Sequence, residues 1–252
     1  MKGEKISFRS GGNKSVGVLY SSGSTEKFPI AIFCHGYRGT KESSKVKPLA
    51  EKLISKGVGL FAFDFSGRGE SEGKFEETTI SQYIEDLASV INHLSKYTDK
   101  ISVIGSSLGG LVTLQEAVGD KKIKLLVLLS PVSHFPWRSE KEFSEGGLKE
   151  WKERGYTYMQ SGRFGELKIN YSFYEDGLKF GDYSVYESID IPVLVIHGTE
   201  DESVPIDDSR KLVKYIQKSN LIELTGADHM YTGEKNFDRV VEETVRFIVG
   251  NL

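Results

Sequence analysis

Residues Gly105-Ser106-Ser107-Leu108-Gly109 set a serine between two glycines, directly after an apolar run (residues 101–104) and directly before a helical pattern carried by Leu111, Val112, Leu114, Ala117 and Val118. In a chain with 27 glycines a Gly-x-Ser-x-Gly arises readily by chance, so its strand–turn–helix context is what carries weight. That context puts Ser107 on a sharp turn with its hydroxyl pushed out above a sheet, and the flanking glycines let strand and helix pass closely. The helix N-terminus beneath it offers free N–H groups and a partial positive charge to a developing oxyanion.

A serine hydroxyl is a poor nucleophile at neutral pH and needs a base within hydrogen-bond reach, itself oriented by a carboxylate. Of the five histidines, His229 is the best placed. It lies in a short loop after an apolar strand (residues 221–224) and before the last helical pattern, over the carboxyl edge of the expected sheet. His93 lies on a helical pattern, and His134 opens an irregular segment with no evident partner. His35 and His197 each precede a glycine at a strand end, where holding the loop by hydrogen bonds is the expected task. The acid should fall between Ser107 and His229 in the chain. Residues 200–202, after the strand 193–196, offer Glu200, Asp201 and Glu202; Asp201 is read as the acid and its neighbours as solvated. Asp228 reads as a loop-stabilising side chain and Asp64 as the organiser of the turn at residues 66–69. The oxyanion hole then takes the backbone N–H of Leu108 and a second from residues 35–39, assigned to Tyr37. Cys34 is the one thiol alternative, and at the end of an apolar strand it reads as a small buried hydrophobe.

The elements that must hold these residues follow from periodicity. Nearly continuous apolar strands are expected at residues 30–34, 58–65, 101–104, 123–129 and 193–196. Helical patterns fall at residues 46–56, 80–97, 107–118, 207–218 and 237–249, and an N-terminal hairpin pairs residues 6–8 with 16–20. Strands apolar on both faces and alternating with helices define a mostly parallel sheet covered on both sides, with function gathered at the strands' carboxyl ends. Residues 135–190 break the rhythm. They hold 13 of the 28 aromatic residues and both tryptophans, too many rings for an ordinary loop and too few residues for a separate core. The segment is therefore expected to lie on the core (residues 1–134 and 191–252) as an inserted lid, with a hairpin formed by residues 156–159 and 167–169.

Composition narrows the partners. A hydrophobic content of 38% and charged content of 27% suit a globular chain, and a net charge of −3 leaves no dominant basic patch for nucleic acid. No run approaches 18 apolar residues and the start lacks an apolar signal core, so neither a membrane span nor a secretory leader is expected. One cysteine fits a reducing, cytoplasmic setting. Scattered histidines give metal binding no support, and the spacing of Gly67, Gly69 and Gly73 does not match a dinucleotide fingerprint; no cofactor is expected. The expected partner is a small molecule, and the sequence leaves room for a homodimer.

The ordered motifs together resemble the α/β-hydrolase superfamily over nearly the whole chain. The carrying residues are His35-Gly36-Tyr37, Asp64 through Gly73, Gly105 through Gly110, His197-Gly198 through Asp201 to Val204-Pro205, and Gly226 through His229. Within the superfamily the chain looks like the serine esterases that include cinnamoyl (feruloyl) esterases and monoacylglycerol lipases. The Gly-Lys-Phe-Glu run at residues 73–76 and the position of the insertion are most similar to the cinnamoyl esterases. Those relatives commonly place His before the nucleophile and Gln after it, where this chain has Ser106 and Leu108. The resemblance implies an eight-stranded α/β-hydrolase fold and a serine carboxylesterase using Ser107, Asp201 and His229. It also implies a tyrosine near Tyr174 that meets a hydroxylated aromatic acyl group; the competing reading of Tyr174 is a ring that fixes the lid to the core. Monoacylglycerol, thioester and peptide hydrolysis by the same three residues stay open.

Overall fold

The computed structural model describes residues 2–23, 27–135, 145–161 and 165–252. Its strands, in chain order, are β1 (Lys2–Ser10), β2 (Asn13–Ser21), β3 (Ile30–Cys34), β4 (Gly59–Asp64), β5 (Ile101–Ser106), β6 (Ile123–Leu129), β7 (Tyr156–Ser161), β8 (Gly165–Asn170), β9 (Val193–Gly198) and β10 (Ser219–Leu224). The helices are α1 (Val46–Ile54), α2 (Ile80–Leu94), α3 (Leu108–Gly119), α4 (Glu145–Arg154), α5 (Tyr171–Gly177), α6 (Ile206–Leu212) and α7 (Glu234–Asn251).

Eight strands form one sheet in the order β1-β2-β4-β3-β5-β6-β9-β10, parallel from β4 to β10 and antiparallel at the β1–β2 hairpin and at β2–β4. Alternation along each central strand separates two cores. Ile30, Ile32 and Cys34 face α2 and α3, whereas Ala31 and Phe33 face α1 and α7; β6 and β9 divide their Leu, Val and Ile residues in the same way. Each fully buried aliphatic or aromatic side chain contributes about 1.5–3 kcal/mol, so this two-sided burial is what fixes the register of the sheet.

The chain reverses its direction of travel across the sheet at β3, which lies between β4 and β5. The connection through α1 runs on one face and that through α2 on the other, which opens a crevice over the carboxyl ends of β3 and β5. Residues 35–39 and Ser107 both emerge there.

The insertion between β6 and β9 departs from the sequence reading. Its hairpin, β7 with β8, is present, but two short helices that periodicity missed, α4 and α5, flank it. Gly146, Gly147 and a run of charges conceal α4, and α5 spans only seven residues. Trp137, Phe143 and Phe164 of the expected aromatic lid fall outside the described residues. The helix expected at residues 207–218 is also shorter. After Leu212 the chain tightens into three-residue turns, with Lys214 N bonded to Lys211 O and Tyr215 N to Leu212 O.

Candidate active site

Ser107 stands between β5 and α3 with φ 55° and ψ −122°, a left-handed conformation for a residue with a side chain. Strain of this kind costs about 1–3 kcal/mol and persists only where neighbours over-determine it. Here Ser107 N donates to Leu129 O on β6, while Ser107 O accepts from Gly110 N and Val132 N. The glycines permit the approach: a Cβ on Gly109 would lie 2.4 Å from Cys34 O, and one on Gly36 would lie 3.1 Å from Ser107 Cβ. The strand–turn–helix geometry therefore follows from small residues at the two points where β3's end, the turn and α3 meet.

His229 Nε2 lies 3.1 Å from Ser107 Oγ, and its Nδ1 lies 2.7 Å from Asp201 Oδ2. The imidazole keeps 19% of its surface exposed, and the Asp201 side chain none. Two loops are welded to make this possible. Gly226 N donates to Thr199 Oγ1, and Glu200 N to Ala227 O, so the loops after β9 and β10 are tied to each other. Tyr231, also at positive φ, donates its hydroxyl to Ile196 O and accepts from Ser130 Oγ, while Asp228 Oδ1 accepts from Met230 N and Thr232 N. Glu200 and Glu202 are exposed, and Asp228 stabilises its own loop, each as the sequence implies.

Asp201 is satisfied on both oxygens. Its Oδ1 accepts from Ser203 N and Val204 N, each at 2.8 Å. Its Oδ2 meets His229 and also His197 Nε2 at 3.1 Å. Burial works to raise its pKa, but the bonds from His197, His229 and the Val204 amide outweigh it and hold the carboxyl well below the usual carboxylate range. The His197 contact was missed by the sequence reading, which gave that histidine only to its loop. The four-residue spacing to Asp201 is the one signal that pointed to it.

The Leu108 N–H stands at the first position of α3, where no intrahelical acceptor exists, and the Tyr37 N–H follows β3. Among the described residues neither amide is engaged by a protein acceptor. The loop holding Tyr37 is pinned from below. Phe65 N donates to His35 Nε2 at 3.2 Å, so His35 Nδ1 carries the proton and donates to Gly36 O at 2.8 Å. Burial pushes the His35 pKa down to about 4. Lys41 bonds Asp64 through both its amide and its ammonium and reaches Glu70 as well. Asp64 thus joins the loop after β3 to the loop after β4, a wider task than the turn expected of it.

Rings of the insertion meet this loop directly. Tyr37 packs on Phe173 with centroids 4.7 Å apart and on Phe75 at 5.1 Å, and Arg38 donates to Gln160 O of β7. Tyr174 sits among Phe135, Trp151 and Tyr171 at 5.5–5.8 Å. His134 has the partner that sequence did not show, Tyr183 Oη at 2.9 Å. Burial pushes the Cys34 thiol up to about 12, which keeps it protonated at neutral pH and removes it as a nucleophile.

A serine on a strained turn at the end of a central parallel strand, in line with an imidazole and a buried carboxylate, defines an α/β hydrolase. Residues 26–162 match the Hydrolase_4 family, described as serine aminopeptidase, S33, and the chain belongs to that family. It is similar to the mitochondrial palmitoyl-protein thioesterase ABHD10 of Homo sapiens, with 25% identity over 77% of this chain and 64% of that protein. The Pongo abelii counterpart is 26% identical over the same shares, so the chain spans 64% of the length of these curated relatives. Among solved structures, Est1E from Butyrivibrio proteoclasticus with ferulic acid bound superposes with a TM-score of 0.86 at 25% identity, covering 98% of each chain. Mouse alpha/beta hydrolase domain-containing protein 10 superposes at 0.82 with 22% identity over 98% of each chain, a likeness of fold.

Proposed function

We propose that this hydrolase is a serine carboxylesterase that cleaves small or aromatic, hydroxycinnamoyl-type esters through an acyl-Ser107 intermediate. The observation that carries the reading is the hydrogen-bonded line from Ser107 Oγ through His229 to Asp201 at the carboxyl edge of the sheet. In the first half-reaction Ser107 Oγ attacks the ester carbonyl as its proton passes to His229 Nε2. The carbonyl oxygen becomes an oxyanion held by the Tyr37 and Leu108 amides, and ionised Asp201 stabilises the imidazolium. Collapse breaks the ester bond, and His229 returns the proton to the departing alkoxide. In the second half-reaction water attacks the acyl-serine with His229 again as base, releasing the acid.

The aromatic acyl preference is supported by the rings that the insertion brings to the oxyanion loop and by the similarity to Est1E, whose structure holds ferulic acid. Tyr174 is the proposed contact to a hydroxylated acyl ring. A second reading, thioester hydrolysis, is favoured by the similarity to the palmitoyl-protein thioesterases. A panel of p-nitrophenyl acetate, methyl hydroxycinnamates, a monoacylglycerol and an acyl-CoA tests both. The proposal expects the highest kcat/KM on a small or aromatic ester, with Tyr174→Phe losing activity only on hydroxylated aromatic esters. Highest kcat/KM on a long-chain acyl thioester would replace it with the second reading.

A further inference from the structure

Asp201 Oδ2, the oxygen that holds His229, lies against a second imidazole. His197 Nε2 lies 3.1 Å from it and 3.0 Å from Val204 O, and His197 Nδ1 lies 2.7 Å from Ser209 Oγ on α6. His197 and Ser209 are both fully buried. Nε2 faces two acceptors, a carboxylate and a carbonyl, so it must carry the proton; Ser209 then donates its hydroxyl to Nδ1 and fixes that tautomer. The result is one continuous chain: Ser209, His197, Asp201, His229, Ser107.

We infer that His197 is a positioning residue for the reaction, holding Asp201 Oδ2 in place for His229, with Ser209 setting the tautomer that lets it do so. The inference rests on the reading of Ser107, His229 and Asp201 as the reacting group. Plain support of the loop would be met by the bond to Val204 O alone. What sets His197 apart is that the nitrogen bonded to Val204 O also lies 3.1 Å from the carboxylate oxygen that holds the base. That contact does two things. It stops the carboxylate from swinging about Oδ1, which the Ser203 and Val204 amides already hold. It also draws on the charge of Oδ2, which moderates the pull of Asp201 on the imidazolium of His229. The other charged groups facing His197 are Glu223, its register partner on β10 and ion-paired to Arg210, and Asp208 on α6, which lies 3.8 Å from His134. Neither reaches Asp201 in its place.

The test compares His197→Gln with His197→Asn. A glutamine amide nitrogen falls near the Nε2 position and keeps the donor to Asp201, whereas an asparagine nitrogen falls near Nδ1 and loses it. Each variant is titrated with a fluorophosphonate so that kcat is expressed per labelled Ser107, and its folding is followed by circular dichroism. Gln is expected to stay within a few-fold of the parent. Asn is expected to lose up to about tenfold in kcat at unchanged KM, because the polar contact that steadies Asp201 Oδ2 is removed. The ascending limb of its pH profile should also move to higher pH. Ser209→Ala, which removes only a hydroxyl, should shift kcat and the limb in the same direction by a smaller amount. Asn and Gln variants that match the parent in kcat and limb overturn the inference, as does a Ser209→Ala protein with both unchanged should His197→Asn not fold. If the parent itself is not labelled at Ser107, it is the triad reading that fails; labelling at Ser107 with unaltered variants removes His197 alone.

Discussion

Ser107 holds a backbone conformation that an L-residue avoids, and the surrounding bonds to Leu129, Gly110 and Val132 sustain it. Strain stored at Ser107 keeps its hydroxyl raised toward His229, so the proposed nucleophilic role and local stability oppose each other at this residue. Asp201 shows the complementary arrangement, a buried carboxylate with every oxygen engaged. Replacing it by Asn keeps the shape but reverses the donor pattern toward His229 Nδ1. Asp201→Asn is expected to stay folded and to lower kcat on the order of 10⁴-fold, read by steady-state kinetics beside a melting curve. Because Asp201 is held well below the usual carboxylate range, it stays ionised from mildly acidic pH upward. In the proposed mechanism the proton that controls activity is then the one on the imidazole base. kcat/KM should rise with pH as His229 loses its proton and then level off. A profile flat from about pH 5 to about pH 9 would contradict a histidine base. The three residues were legible in the sequence because each falls just past an apolar strand and the chain order restricts the choice. The contact of His197 with Asp201 was not, since beyond its four-residue spacing a contact across a loop leaves no trace in composition or period.

At the scale of elements, the loop after β3 is the part that must be rigid, and its rigidity depends on a neutral His35. Nε2 accepts from Phe65 N, so protonation would abolish that bond. With a folded-state pKa of about 4 against about 6.5 for a free imidazole, the unfolded chain binds a proton that the folded chain refuses. Stability from this group is thus present above about pH 6.5 and lost as the pH falls toward 4, by up to about 3 kcal/mol. Urea unfolding of the parent and of His35→Gln at neutral pH and near pH 4.5 should show a smaller acid loss in the variant; equal losses would remove His35 as the cause. The insertion is tied down by Asp176 of α5, which accepts from Ser81 N and Oγ at the start of α2. Asp176→Ala should cost about 1–3 kcal/mol, seen as a lowered Tm, by leaving those donors unmet. The strands of the sheet were legible because burial on both faces writes an unbroken apolar run. The helices α4 and α5 were not, because α4 mixes charges with glycines and α5 is only seven residues long, too short for a helical period to show.

At the scale of the molecule, the order of the strands assembles the site. Placing β3 between β4 and β5 sets the loop of residues 35–39 beside Ser107, and the pairing of β6 with β9 and of β9 with β10 brings Asp201 and His229 over the same edge. None of that order is written in the periodicity, which shows strands but not neighbours. It entered the sequence reading only through the resemblance of the ordered motifs to a known superfamily. The insertion meets the loop after β3 through Phe173 and Gln160, which gives the proposed acyl selectivity to a segment separate from the residues proposed to do the chemistry. The central claim is that Ser107 is the nucleophile, and mass-spectrometric mapping of the site labelled by a serine-directed fluorophosphonate tests it most directly. Stoichiometric modification of Ser107 in the parent, with neither labelling nor ester hydrolysis in Ser107→Ala, is the expected result. Full labelling or undiminished hydrolysis in the Ser107→Ala protein would contradict it.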